Sequence, residues 1–166
     1  MILIMKNTEQ EIFELLSAIP DPEVPVINID ELGVLRKVEF DNEKVIVTIT
    51  PTYSGCPAMK QMEDDILRLL HQNGFVNVEI KTSYLPAWTT DWLSESAKMK
   101  LIDYGISPPE KSSVNKESIT GKASVVMCPR CKSTATVMVS QFGSTACKAL
   151  YKCLDCLEPF DYFKCL

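Results

Sequence analysis

Four cysteines constrain this chain more than any other feature. They fall as Cys128-Pro-Arg-Cys131 and Cys153-Leu-Asp-Cys156, with twenty-one residues between the pairs. Two intervening residues suffice for a tight knuckle that turns both thiolates of a pair toward one point. Two knuckles together give four soft ligands at the corners of a tetrahedron, which zinc accepts as a closed structural site. The spacing predicts short strands between knuckles over residues 125–166, held through Cys128, Cys131, Cys153 and Cys156. Four protein thiolates leave no open position for substrate, so the metal is expected to be structural. A redox dithiol is the competing reading. It calls for a helix directly after a strand, and Pro129-Arg130 does not suit that context.

The remaining sequence is long enough for one ordinary domain beside this small module, and 46% hydrophobic residues out of 166 support a real core. No apolar run reaches the length of a membrane span. The opening Met1-Ile-Leu-Ile-Met5 lacks the basic lead and cleavage site of a signal peptide. Seven cysteines without an export signal point to a reducing, cytoplasmic setting. Residues 1–106 carry nine Lys and Arg against seventeen Asp and Glu, a net charge of −8. Residues 125–166 carry five against three, a net charge of +2. An acidic main domain is wrong for a phosphate backbone, so nucleic acid is not an expected partner.

Thr8-Glu9-Gln10-Glu11 reads as a capping box, and Ile12, Leu15, Leu16 and Ile19 follow at helical spacing, so a helix is predicted over 8–19. Pro20, Pro22 and Pro25 end it and predict an extended loop. Val34–Phe40 and Val45–Thr50 alternate as strands around the turn Asp41–Lys44, a hairpin. After the turn at 52–57, Met59, Met62, Ile66, Leu69 and Leu70 line one side of a second helix, stopped by Asn73-Gly74. Val76, Val78 and Ile80 predict a third strand. A loop with Trp88 and Trp92 leads to a last helix over Ser94–Tyr104, closed by Gly105. The predicted architecture is a small two-layer α+β domain with a mixed sheet over 1–106, a linker over 107–124 rich in Pro, Ser and Lys, and the ribbon over 125–166.

Cys56 lies in Ser54-Gly55-Cys56-Pro57, with Pro57 suited to a first helical position. A thiol at a helix start faces free N–H groups that favour the thiolate, which suits a nucleophile or a transient metal ligand. The plainer reading is a small packing residue. Asp21 and Glu23 in the proline loop are either a metal or acid–base pair or ordinary solvated charges. His71 is the single histidine and builds no triad. Met59 and Met62 read as core residues. Trp88 and Trp92 are either contact residues or core caps, and Cys147 and Cys165 either packing residues or a second thiol pair. No phosphate loop, dinucleotide fingerprint or nucleophile elbow is present.

Asp21-Pro-Glu-Val-Pro-Val26, Asp30-Glu-Leu-Gly33 and Thr50-Pro-Thr-Tyr-Ser-Gly-Cys-Pro57 resemble the iron–sulfur assembly accessory domain of SufT-like proteins. Phe142–Tyr151, the knuckle at Cys153 and Cys156, and Glu158–Cys165 resemble the PaaD family (also called PaaJ), the D subunits of phenylacetyl-CoA epoxidase systems. The resemblance spans about residues 8–166. It implies an accessory subunit in phenylacetate degradation that is not itself catalytic and helps mature or assemble a metal centre. The implied partners are a di-iron oxygenase subunit or a flavin, iron–sulfur reductase. By matching position, Asp21, Glu23 and Cys56 are the implied transient iron or iron–sulfur site. The four knuckle cysteines are the implied zinc ligands. A homodimer would bring two Cys56 thiolates together. The alternative is a stable structural or electron-transfer subunit carrying an iron–sulfur cluster.

Overall fold

Thr8 starts the fold as the sequence predicts: its hydroxyl accepts the Glu11 N–H at 3.2 Å, and its own N–H donates to the Glu11 carboxylate at 2.7 Å. The computed structural model describes residues 8–109 and 126–164. Helix α1 (Glu9–Leu16) buries Ile12 and Leu16. It stops short of residue 19, where Ser17 caps it and its hydroxyl donates to the Phe13 carbonyl at 2.8 Å. The proline segment that follows is not extended. It closes on itself, with Pro20 bridged to Asn28 and the Asp21 N–H donating to the Ile27 carbonyl at 2.9 Å.

Strands β1 (Leu35–Asp41) and β2 (Lys44–Ile49) form the predicted hairpin, with Asn42 in the left-handed region at φ 57°. Helix α2 (Ala58–Gln72) buries Ala58, Met62, Ile66 and Leu70, one residue per turn on one side. Met59 and Leu69 are half-buried beside them. Gly74, at φ 87°, ends the helix, where a side chain would strain the backbone. Strand β3 (Val78–Thr82) then pairs parallel with β2, from Val45↔Val78 to Ile49↔Thr82. Val76 lies before the strand and is exposed. The sheet order β1-β2-β3 with one antiparallel and one parallel pairing is mixed, as predicted.

Contacts divide the chain into two compact units, Met1–Pro51 with Gly55–Ala87, and Thr52–Ser54 with Trp88–Leu166. The second holds α3 (Glu95–Tyr104), β4 (Ile106–Ser107), β5 (Thr136–Ser140), β6 (Lys148–Cys153) and β7 (Pro159–Phe163). The Ser94 hydroxyl caps α3 at the Ala97 N–H, and Gly105 closes it at φ 92°. The four strands form one sheet in the order β4-β7-β6-β5. The expected boundary after residue 106 therefore cuts through β4, which pairs parallel with β7. Most of the expected linker, residues 110–124, lies outside the described residues.

Candidate functional site

Both knuckles turn by the same device. The Cys128 N–H donates to the Ser133 carbonyl at 2.8 Å, and the Cys153 N–H to the Glu158 carbonyl at 2.9 Å. In both, the residue after the second cysteine turns left-handed: Lys132 at φ 63° and Leu157 at φ 64°. Glycine is usual in that conformation, and the two long side chains here hide it from a sequence reading. The antiparallel pairing of β5 with β6, which sets Thr136 opposite Cys153, brings the two knuckles together beside a small core of Val126, Ala149, Phe160 and Tyr162, with Tyr151 stacked on Phe160.

The four sulfurs converge. All lie within 4.8 Å of one another, with Cys128 to Cys156 at 3.7 Å and Cys131 to Cys153 at 3.5 Å. Disulfides need sulfurs at about 2.05 Å, so these pairs are not bonded. A zinc–sulfur length of about 2.3 Å gives a tetrahedral edge of about 3.8 Å, close to both distances. A two-iron cluster would need room for a second metal and its bridging sulfides, and sulfurs this close leave space for one ion. Cys128 and Cys153 are buried, while Cys131 and Cys156 face solvent.

The thiols are unequal. Foremost through the Cys156 N–H that donates to its sulfur, the Cys153 thiol is pulled down to about 7. At Cys156 a backbone hydrogen bond at Glu158 favours the thiolate, but lost hydration and three neighbouring thiols outweigh it and push it up to about 12. Crowded thiols cannot all ionise without a cation among them. The set is therefore built for a metal ion, and these residues fit zinc with no open position.

The other expected residues lie in the first unit. Asp21 is buried, only 5% exposed, and its carboxylate accepts the N–H groups of Glu23 at 2.9 Å and Val24 at 2.7 Å. Its solvated-charge reading is thus corrected: it holds the proline loop closed. Asp21→Ala is expected to cost about 1–2 kcal/mol, read as a lower urea midpoint for the first unit, while Asp21→Asn keeps an acceptor and most of that stability. Glu23 is half-buried in the same loop. Cys56 is half-buried in the turn before α2, where Pro57 is the N-cap and Ala58 the first helical residue. Pro57 thus sits one position earlier than predicted. The Met59 N–H donates to the Cys56 carbonyl at 3.3 Å. Because β2 and β3 run parallel, Cys56 follows β2 at the end of the sheet where β3 also finishes. In open α/β sheets such strand ends commonly carry ligand sites.

Trp88 is a core residue, buried edge-on against Phe163 with ring centroids 6.3 Å apart. Trp92 is half-buried. Cys147 is buried, with its sulfur 3.1 Å from the Thr145 hydroxyl, while Cys165 lies outside the described residues. His71 is exposed near the end of α2. No helix among the described residues is long and apolar enough to cross a membrane.

Residues 9–81 match the family described as iron–sulfur cluster assembly protein, and residues 112–164 match the family described as PaaD zinc beta ribbon domain. A crystal structure of a domain of unknown function, DUF59, from Bacillus anthracis is 31% identical with a TM-score of 0.52, over 56% of this chain and 90% of that one. A Porphyromonas gingivalis protein named Fe-S protein maturation auxiliary factor is 33% identical, over 57% of this chain and 91% of its own length. An Escherichia coli K12 protein, provisionally named among the 1,2-phenylacetyl-CoA epoxidase D subunits, is 49% identical over 156 residues. That match covers 94% of this chain and 92% of the other. The likeness runs through both units, and the chain belongs to the PaaD family, with an iron–sulfur assembly domain joined to a zinc ribbon.

Proposed function

We propose that this chain is a non-catalytic accessory subunit of a phenylacetyl-CoA epoxidase system, and that it helps mature or assemble a metal centre in a partner subunit. The observation that carries this reading is the likeness to the Escherichia coli PaaD relative along nearly the whole chain, including the domain related to iron–sulfur assembly proteins. In this reading Cys128, Cys131, Cys153 and Cys156 hold a structural zinc. Cys56, with Asp21 and Glu23 in the same unit, is the transient iron or iron–sulfur site. A maturation factor must release what it carries. One thiol at a turn suits that better than a closed cage of four, which holds its ion tightly. The client is the di-iron oxygenase subunit or the flavin, iron–sulfur reductase, and the setting is the cytoplasm.

A stable cluster-bearing subunit would be brown and would hold stoichiometric iron and sulfide. The protein purified in air is expected to be colourless, with about one zinc per chain as a single four-thiolate site requires. Iron and sulfide retained at one cluster per chain would replace the accessory reading with the electron-transfer one. Passing each epoxidase component over the immobilised chain identifies the client by retention.

A further inference from the structure

The two knuckles match residue for residue. Cys128, Arg130, Cys131, Lys132 and Ser133 correspond to Cys153, Asp155, Cys156, Leu157 and Glu158. The left-handed residue and the bond to the first cysteine N–H, shared by both, fix that correspondence. It extends to side chains outside the four sulfurs. The Arg130 guanidinium, inside the first knuckle, pairs at 2.6 Å with the carboxylate of Glu158, which follows the second. The hydroxyl of Ser133, which follows the first knuckle, donates to the Asp155 carboxylate inside the second. That hydroxyl also accepts the Ala135 N–H at 3.0 Å, which leaves its proton for Asp155. Each knuckle's third residue therefore holds the chain that follows the other knuckle.

The two clasps are not equally supported. The second knuckle is also tied by backbone, since the Leu154 N–H donates to the Ala135 carbonyl at 2.7 Å. The matching residue of the first knuckle is Pro129, which has no N–H to give. On that side the ion pair of Arg130 with Glu158 takes the place of a backbone bond.

We infer that Arg130 and Glu158 form a latch on the first knuckle, positioning residues that set how fast zinc is released. The inference rests on the reading that Cys128, Cys131, Cys153 and Cys156 hold zinc. The sulfur pairs at 3.7 and 3.5 Å, Cys128 with Cys156 and Cys131 with Cys153, each join one knuckle to the other. Releasing the ion therefore requires the knuckles to part, while each turn can stay intact. A bond that spans the knuckles keeps a detached thiolate within reach, so that it binds again before the next one leaves. Groups outside the ligand set alter metal affinity in this way, by holding the ligands in place. Both latch side chains face solvent, where an ion pair is weak, so the effect is several-fold and not many orders of magnitude.

Mixing the full, zinc-loaded chain with an excess of a chelator that colours on binding zinc reads the release rate. Arg130→Glu and Glu158→Arg each set like charges face to face, and each is expected to release zinc about fivefold faster than wild type. The chain carrying both exchanges regains an ion pair and is expected to return to within about twofold of wild type. Ser133→Ala removes the other clasp but keeps the Leu154 bond, and should speed release by no more than about twofold. The two single exchanges change the charge beside the thiolates in opposite senses. A plain field effect would thus speed release in one and slow it in the other, whereas a broken latch speeds both. One zinc per chain before the chelator is added shows that each variant is folded. Opposite shifts in the two exchanges, a wild-type rate in either, or a double exchange as fast as the singles overturns the inference. So does Ser133→Ala releasing zinc faster than Arg130→Glu, because the second knuckle would then be the one that opens. A wild type that holds no zinc overturns the zinc reading, and this inference with it.

Discussion

Cys153→Ser is expected to unfold the zinc ribbon and leave the first unit folded. The cysteine is fully buried between the knuckle and the small core of Val126, Phe160 and Tyr162. That core is too small to hold four strands without the ion, as is usual for segments of this size. Structural zinc supplies roughly 10–16 kcal/mol of apparent binding energy in small modules, comparable with the whole stability of an ordinary domain. Losing one of four thiolates removes much of it and leaves three crowded thiols without their cation. Hydrogen exchange should show protection lost from β5, β6 and β7, and from β4, whose partner is β7. Protection in α2 and β2 should persist, and zinc should fall well below one per chain. A ribbon that stays protected in this variant would contradict the zinc assignment.

Cys56→Ala is expected to do the reverse, sparing the fold and abolishing function. The side chain is small and half-buried, and the Met59 hydrogen bond at this turn uses the Cys56 carbonyl, which alanine retains. The stability loss should not exceed about 1 kcal/mol. In the proposed role no other thiol of the first unit can replace it, since Cys56 is the only cysteine before Cys128. Cells carrying the variant are expected to make the chain in normal amount and still fail to grow on phenylacetate. Asp21→Asn and Glu23→Gln should give milder growth defects. Normal growth of the Cys56→Ala strain would make this cysteine a packing residue.

Sequence shows most clearly what short-range chemistry controls. The capping box at Thr8, the spacing of Met62, Ile66 and Leu70, and the two knuckles all depend on residues within a few positions of one another, and the structure keeps all of them. The pairing of Ile106–Ser107 with β7 joins segments more than fifty residues apart, and two residues carry no pattern that announces it. Trp88 sits in a loop sequence, so its burial against Phe163 follows from a distant strand and not from local spacing. Asp21 misleads for another reason. A carboxylate in a proline-rich loop is usually solvated, and only the folded turn shows it receiving two backbone N–H groups. Cys56 was legible as a thiol near a helix start. Its place at the shared end of β2 and β3 required the parallel pairing.

The central claim is that this chain serves the metal centre of a partner. It is tested most directly by measuring iron in the di-iron oxygenase subunit and in the reductase, each purified from cells that lack the chain. The account predicts that one of the two is present in normal amount but depleted of iron, and that the chain restores it while the Cys56→Ala variant does not. Both components fully loaded in the absence of the chain would contradict it.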